Sequence, residues 1–301
     1  MGQKYKKRKN GSGLLKTILL VVLILYTISL VILLLWGLST SLKTYDDFYY
    51  NKVGLPSGSP TTWGWNNYYV VLSKFKVSWT IDRKRHSAGI GMMTLNTVLY
   101  AIIGSLVTTT ACCLVAYCAA KFKFFFSKVL YTLVLVVMVV PVVGSTPSML
   151  LLLKNTHLYN TWLGTYLMKF NFLGIYFLVF FGIFEGISPE FTEAATIDGA
   201  NQYQILFRIM LPLVKTTFYT VFLIHFIDYW NDYTMALIYM PSHPTLAYGV
   251  YYMANIENST DLALVPYRMA SCMILALPLV VIFVAFRDKL LGNTMAGGVK
   301  E

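Results

Sequence analysis

Charge is what this sequence lacks most. Only 12% of its 301 residues are Asp, Glu, Lys or Arg, while 57% are hydrophobic, against about a quarter charged in an ordinary soluble domain. A chain so poor in ionic side chains cannot cover a water-facing surface, which excludes a soluble globular protein and makes this an integral membrane protein. Acids are the scarcer sign, 13 against 24 Lys and Arg. The resulting surplus of +11 would suit nucleic acid, but no basic helix or aromatic-basic sheet pattern accompanies it. Nucleic acid is therefore excluded as a partner, and membrane topology accounts for the cations.

Reactive residues are equally sparse. Cys112, Cys113, Cys118 and Cys272 fall in or near apolar runs without metal-ligand spacing. His86, His157, His225 and His243 are scattered, and neither G-x-S-x-G, H-E-x-x-H nor a Walker A stretch G-x-x-x-x-G-K-[ST] occurs. These absences point to a non-catalytic chain with no cofactor or metal site, whose energy comes from elsewhere.

What is abundant is long apolar sequence. An ionised side chain at the bilayer centre costs at least ~2.5 kcal/mol, so charge-free runs locate the spans. Six are expected: Thr17 to Leu38, within Met92 to Ala120, within Val129 to Leu153, about Phe170 to Phe184, from near Thr216, and about Ala270 to Phe286. The first follows a basic stretch, MGQKYKKRKN, as a secretory signal would. It is longer than an h-region and lacks a small-residue cleavage site, so a retained span is expected. The expected organisation is a basic N-terminus over 1–16, an all-α six-span domain over 17–290 and a tail over 291–301.

The Lys and Arg of the N-terminus, with Lys121, Lys123, Lys128, Arg208, Lys215, Arg287 and Lys289, place both termini in the cytoplasm by the positive-inside bias. Arg83, Lys84 and Arg85 run against it, in a loop over 39–91 long enough to weaken the rule. That outer loop also holds Trp63, Trp65, Tyr68 and Tyr69, which suit either an interfacial anchor or a docking surface for something outside.

Between the fourth and fifth spans, residues 188–212 carry a different pattern. Ser188 suits a helix N-cap, Pro189 the first helical position, and Glu190 and Glu193 the positive end of the helix dipole. Asp198-Gly199 should stop that helix, and Asn201 with Gln204 can cap a second one. Pro212 should close it. Ala194, Ile197, Ile205, Leu206, Ile209 and Met210 give the pair an apolar side, leaving Glu193, Asp198 and Arg208 for water or a partner. A helix-turn-helix on the cytoplasmic side is either a handle for another subunit or an interfacial helix; acids on the first helix argue against the second role, which wants Lys and Arg.

Glu193-Ala194-Ala195, Asp198-Gly199-Ala200, Phe207, Ile209 and Leu211-Pro212 resemble the EAA loop, E-A-A-x-x-D-G-A then F-x-I-x-L-P, of binding-protein-dependent ABC importer permeases. Asn96-Thr97, Leu158, Asn160-Thr161, Phe226 and Trp230-Asn231-Asp232 are similar to the carbohydrate-uptake branch. Gly292 to Lys300 resembles the tail of its maltose-transporter-like G-type permeases. The resemblance implies a type I importer permease in a bacterial plasma membrane, non-catalytic itself, with ATP and Mg bound by a separate cytoplasmic ATPase dimer. A second, F-type permease would share the pathway, and an extracellular solute-binding protein would deliver a sugar. It makes Glu193, Ala194, Ala195, Asp198, Gly199, Ala200, Arg208 and Pro212 the residues that couple to the ATPase. The outer Arg83 to Arg85 cluster has no assigned counterpart in that family.

In the fifth span, His225, Asp228 and Asp232 are spaced to share a helix face near Trp230 and Asn231. Asp228, Trp230, Asn231 and Asp232 are candidates for the substrate pathway, Trp230 stacking on a sugar ring and the polar groups binding hydroxyls. The same residues would also serve as a polar packing seam. A self-contained secondary transporter or channel using Asp228 and Asp232 is the alternative function.

Overall fold

The computed structural model describes residues 11–81, 83–122, 125–140, 144–255 and 261–291. The basic stretch before Gly11 and the tail from Gly292 lie outside the described residues. The chain divides into two compact units, one of residues 1–71 with 259–274 and one of 72–258 with 275–301.

In the first unit, α1 (Gly11–Ser41) is a continuous apolar helix whose side chains from Leu15 to Leu35 are almost all exposed within the chain. In water that surface would be an aggregation hazard; in a bilayer it meets lipid or a partner. Beyond α1 the loop is pinned by polar ties. Asn67 donates from Nδ2 to the carbonyls of Ser41 at 2.8 Å and Lys43 at 2.7 Å. Lys43, fully buried, donates to the Asn51 carbonyl at 2.6 Å. Thr44 caps α2 (Tyr45–Tyr50) by accepting from Asp47 N. Of the loop aromatics, Tyr68 bonds inward to Ser41 Oγ at 2.7 Å, whereas Trp65 and Tyr69 are exposed.

The second unit begins within α3 (Asn66–Lys74) and continues as an antiparallel hairpin, β1 (Lys76–Ile81) and β2 (Lys84–Gly89), paired Lys76 with Gly89 through Ile81 with Lys84. Its second strand runs directly into α4 (Ile90–Lys121), the central helix. Next come α5 (Phe125–Val139), α6 (Ser145–Asn155), α7 (Trp162–Lys169), α8 (Ile175–Gly186), α9 (Glu190–Ile197) and α10 (Gln202–Ile205). α11 (Leu211–Trp230) and α12 (Leu246–Asn255) complete it, together with the later part of α13 (Val265–Leu291). α4 packs on both α8 and α11, and the small residues along it let them approach. Gly104 is one such place, since a Cβ there would meet the Tyr229 ring at 3.1 Å. One apolar core joins Cys112, Cys113, Ala116 and Tyr117 of α4 to Phe177, Phe180 and Phe184 of α8 and to Ala195, Ile205, Met210 and Val214.

Among the described residues, four helical stretches are long and apolar enough to cross a membrane: Leu15–Ser41, Ile90–Lys121, Gln202–Trp230 and Val265–Ile282. A fifth results if Ile175–Gly186 and Glu190–Ile197, bent by 65°, count as one. The six expected runs each hold an apolar helix (α1, α4, α5, α8, α11, α13), but several boundaries differ. In the third run α5 ends at Val139 and α6 begins at Ser145, preceded by Gly144 at φ +80°. The fourth starts later than Phe170, since Phe170 ends α7 and α8 begins only at Ile175. The fifth starts earlier than Thr216, because the helical run is unbroken from Gln202.

Candidate functional site

Two sites sit at opposite ends of the run from Gln202 to Trp230. The first is the loop between α8 and α11. Ser188 Oγ accepts from Glu190 N at 3.3 Å, which helps to start α9. Asp198 caps its far end, and Gly199 follows with φ +81°, a conformation that costs an L side chain about 1–2 kcal/mol. Asn201 and Gln204 then form a reciprocal capping box at 2.9 Å in each direction, which starts α10.

The inner side of this loop is anchored in the core through Ala195, Ile205 and Met210, and Lys121 Nζ holds the preceding turn by donating to the Ile187 carbonyl at 2.8 Å. Its outer side is a recess of about 290 Å³ lined by Glu190, Phe191, Ala194, Ala195, Asp198 and Ile209. Glu193 is exposed beside it, as are Arg208 and Pro212; Ala200 is half-buried against the core.

Two sequence expectations fail here. Ile197 was expected on the buried side with Ala194, but it is 86% exposed and Ala195, at 7%, is the inward residue. The helix starts at Glu190, one position later than expected, with Ala195 turned to the core and Phe191, Ala194 and Ile197 outside. Pro212 does not close α10 either. The chain widens into a π turn over Leu206–Met210, with Leu211 N donating to the Leu206 carbonyl. That turn absorbs the missing Pro212 N–H one residue ahead, and Pro212 then occupies the first turn of α11, where a lost donor costs little.

The second site lies at the other end of α11. Asp232 accepts from Tyr100 Oη at 2.7 Å and pairs with Lys169 Nζ at 3.4 Å, while its Oδ1 accepts from Met235 N at 3.1 Å. The Lys169 ammonium also lies 4.3 Å from the centre of the Tyr229 ring, an arrangement that stabilises a partly desolvated cation. Tyr229 Oη is 2.8 Å from Thr108 Oγ1, which donates to the Lys169 carbonyl at 2.6 Å. His225 is buried, 3.1 Å from Thr109 Oγ1, and stacks on Tyr229. Beside these groups opens a recess of about 400 Å³, lined among others by Thr108, Lys169, Asn171, Tyr176, His225 and Tyr229.

Of the candidates from the fifth span, Asp232 joins this cluster and Trp230 does not. Asp232 lies past the end of α11, where it caps the next turn. Asp228 is exposed, and Asn231 donates to the Ile227 carbonyl of its own helix. Trp230 is only 3% exposed and its indole N–H donates to the Leu275 carbonyl at 3.1 Å, so its ring faces the protein interior. Sequence reading missed Lys169, Tyr100, Tyr229 and Thr108. The one signal for them was Lys169 itself, a cation at the edge of an apolar run.

Residues 111–291 match the family described as binding-protein-dependent transport system inner membrane component. The chain belongs to this family. Relatives include the melibiose/raffinose/stachyose import permease MelC of Bacillus subtilis, 26% identical over 71% of this chain and 77% of that protein. The diacetylchitobiose uptake permease NgcG of Streptomyces coelicolor is 23% identical over 92% and 86%. The protein described as probable ABC transporter permease protein PH1036 of Pyrococcus horikoshii is 28% identical over 50% of this chain and 55% of that protein. A chain of the solved bacterial ABC transporter involved in import of the acidic polysaccharide alginate shares the fold, with a TM-score of 0.73 at 18% identity, covering 94% of this chain and 99% of that one.

The protein is therefore a non-catalytic permease subunit with the importer permease fold, and family membership supports that reading over a self-contained secondary transporter. The permease's family-like polar residues serve as ties between segments. Asn96 donates to the Pro244 carbonyl at 3.0 Å and Thr97 Oγ1 accepts from Leu246 N at 2.8 Å. Asn160, at φ +59°, exchanges hydrogen bonds with Ser242 at 2.7 and 3.0 Å. Thr161 caps α7 through Gly164 N.

Proposed function

We propose that this permease forms half of the pathway of an ATP-driven sugar importer, an oligosaccharide being the best match to its relatives MelC and NgcG. A second, F-type permease supplies the other half. The outer face of α9 and α10 couples to a cytoplasmic ATPase dimer that binds ATP and Mg, and an extracellular solute-binding protein delivers the sugar. Both termini are cytoplasmic in this reading, which the Lys and Arg distribution supports. The observation that carries this reading is the recess over Glu190, Phe191, Ala194, Ala195, Asp198 and Ile209. It combines apolar floor and acidic rim on a loop whose back is locked into the core, the form expected of a rigid socket for a partner segment.

At the other end, Asp228 and Asp232 with Lys169, Tyr176 and Tyr229 border the pathway. Tyrosine faces beside hydroxyl and amide groups suit a polyhydroxylated ring, which offers C–H faces to stack and O–H groups to bond. Trp230 and Asn231 act there as supports that hold the end of α11.

The test is uptake of labelled raffinose and diacetylchitobiose by cells with and without the gene, with the proton gradient collapsed and ATP maintained. Gene-dependent uptake that survives the uncoupler supports the reading; uptake abolished by it supports a secondary transporter. The isolated chain should hydrolyse no ATP, and hydrolysis by it alone would also overturn the reading.

A further inference from the structure

Lys121 ends α4, and its ammonium reaches out of that helix to the Ile187 carbonyl at 2.8 Å. Ile187 is the first residue past α8, at the 65° bend between α8 and α9. Only Ile187, Ser188 and Pro189 join those two helices. The last carbonyls of a helix have no donor ahead of them in their own ladder, and Pro189 removes one more N–H from the connection. A cation placed here satisfies one such carbonyl and sits at the negative end of the α8 dipole. Among the described residues no carboxylate pairs with Lys121, so the bend is what holds its charge. One turn back along α4, Tyr117 packs edge-on against Phe184 at 5.4 Å and lays an apolar contact beside the polar tie.

The same helix reaches the recess at the other end of α11. Thr108 and Thr109 lie about 20 Å from Lys121 along an unbroken α-helix. Thr108 Oγ1 donates to the Lys169 carbonyl at 2.6 Å and meets Tyr229 Oη at 2.8 Å, and Thr109 Oγ1 is 3.1 Å from His225 Nδ1. Thr108, Lys169, His225 and Tyr229 all line the recess. The covalent route from α9 to these groups runs instead through α10 and the π turn over Leu206–Met210. A π turn is a place where a helix bends and changes register, so displacement entering there is partly absorbed. The route through Lys121 meets no such break.

We propose that Lys121 is a positioning residue for coupling. It clamps the bend between α8 and α9 to the end of α4, so that a displacement of α9 by the ATPase moves the α4 wall of the recess. This rests on the importer reading above. The residue touches neither ATPase nor sugar in that scheme; it acts through the carbonyl it holds and the helix it ends.

The experiment reconstitutes the whole transporter, with its ATPase and solute-binding protein, in vesicles and reads ATP hydrolysed per labelled raffinose or diacetylchitobiose taken up. Lys121→Met keeps the aliphatic stem and removes the donor. It should recruit the ATPase as the wild type does, yet hydrolyse on the order of tenfold more ATP per sugar. Lys121→Arg, which keeps a charged donor, should restore most of the lost coupling. An unchanged ratio in Lys121→Met would overturn the proposal. So would uptake and hydrolysis that fall together, failure of Lys121→Met to assemble with its partners, or an Arg variant no better than Met, since each assigns the bond to packing alone. Absence of ATP-dependent uptake by the wild type would instead remove the importer reading itself.

Discussion

Lys169 at the end of α7 and Asp232 just past the end of α11 form an ion pair at 3.4 Å, with Tyr100 as a second donor to the same carboxylate oxygen. Both side chains are about a fifth exposed, 19% and 21%, so the pair is far less screened than one on an open surface. It fastens two segments 63 residues apart in the chain, and its Lys169 lines the larger recess.

Removing one partner should therefore do more harm than removing both. Lys169→Met leaves a half-buried carboxylate with Tyr100 and Met235 N but no cation, a cost of about 2–4 kcal/mol, whereas Lys169→Met with Asp232→Leu should recover at least half of it. Thermal unfolding of the purified transporter measures this. Additive losses in the double variant would show that the two residues act independently.

If the pair is structural and not a proton site, Asp232→Asn should lower the rate of uptake without changing its pH profile. A profile displaced by a unit or more would instead place Asp232 in a proton pathway.

Gly199 is decided by backbone strain alone, since a Cβ there would meet nothing within 4 Å while φ is +81°. Gly199→Val should cost about 1–2 kcal/mol locally and reduce ATPase recruitment by roughly tenfold. Gly199→Asn, which tolerates the left-handed region, should keep most of it. Co-purification of the ATPase, normalised to permease in the membrane, reads the effect. Equal recruitment in all three proteins would remove the turn from the coupling mechanism.

Glu193 is exposed beside the recess, so its replacement disturbs no packing. Glu193→Lys should leave insertion and pairing with the second permease intact but weaken recruitment of the ATPase and of coupled uptake. Normal recruitment and uptake would return α9 to the role of an interfacial helix.

His243 lies outside the spanning helices, its ring edge-on to Trp162 at 5.0 Å. Its Nδ1 is buried with no hydrogen-bond partner among the described residues. Burial lowers its pKa below the usual histidine value. The unfolded chain then binds the proton more readily, so stability is full above about pH 6.5 and declines as pH falls toward the folded-state pKa. His243→Gln should flatten the fall in melting temperature between pH 7 and 5; an unchanged slope would assign that fall to other groups.

The amino-acid sequence determined what depended on local chemistry. The scarcity of charge fixed the solvent, apolar runs fixed where helices lie, and Asn201, Gln204 and Gly199 specified a capping box and a left-handed turn that involve only neighbours in the chain. Tertiary structure decided which way those helices face. Ala195 rather than Ala194 points inward because the core offered by Phe184 and Tyr117 sets the rotation of α9. Pro212 sits inside a helical run because a π turn absorbs it. Trp230 turns to the Leu275 carbonyl, although sequence spacing suited it equally to a sugar. Lys169, Tyr100, Tyr229 and Asp232 become one cluster only when α4, α7 and α11 meet, and no periodicity along the chain encodes a contact between residues 132 positions apart.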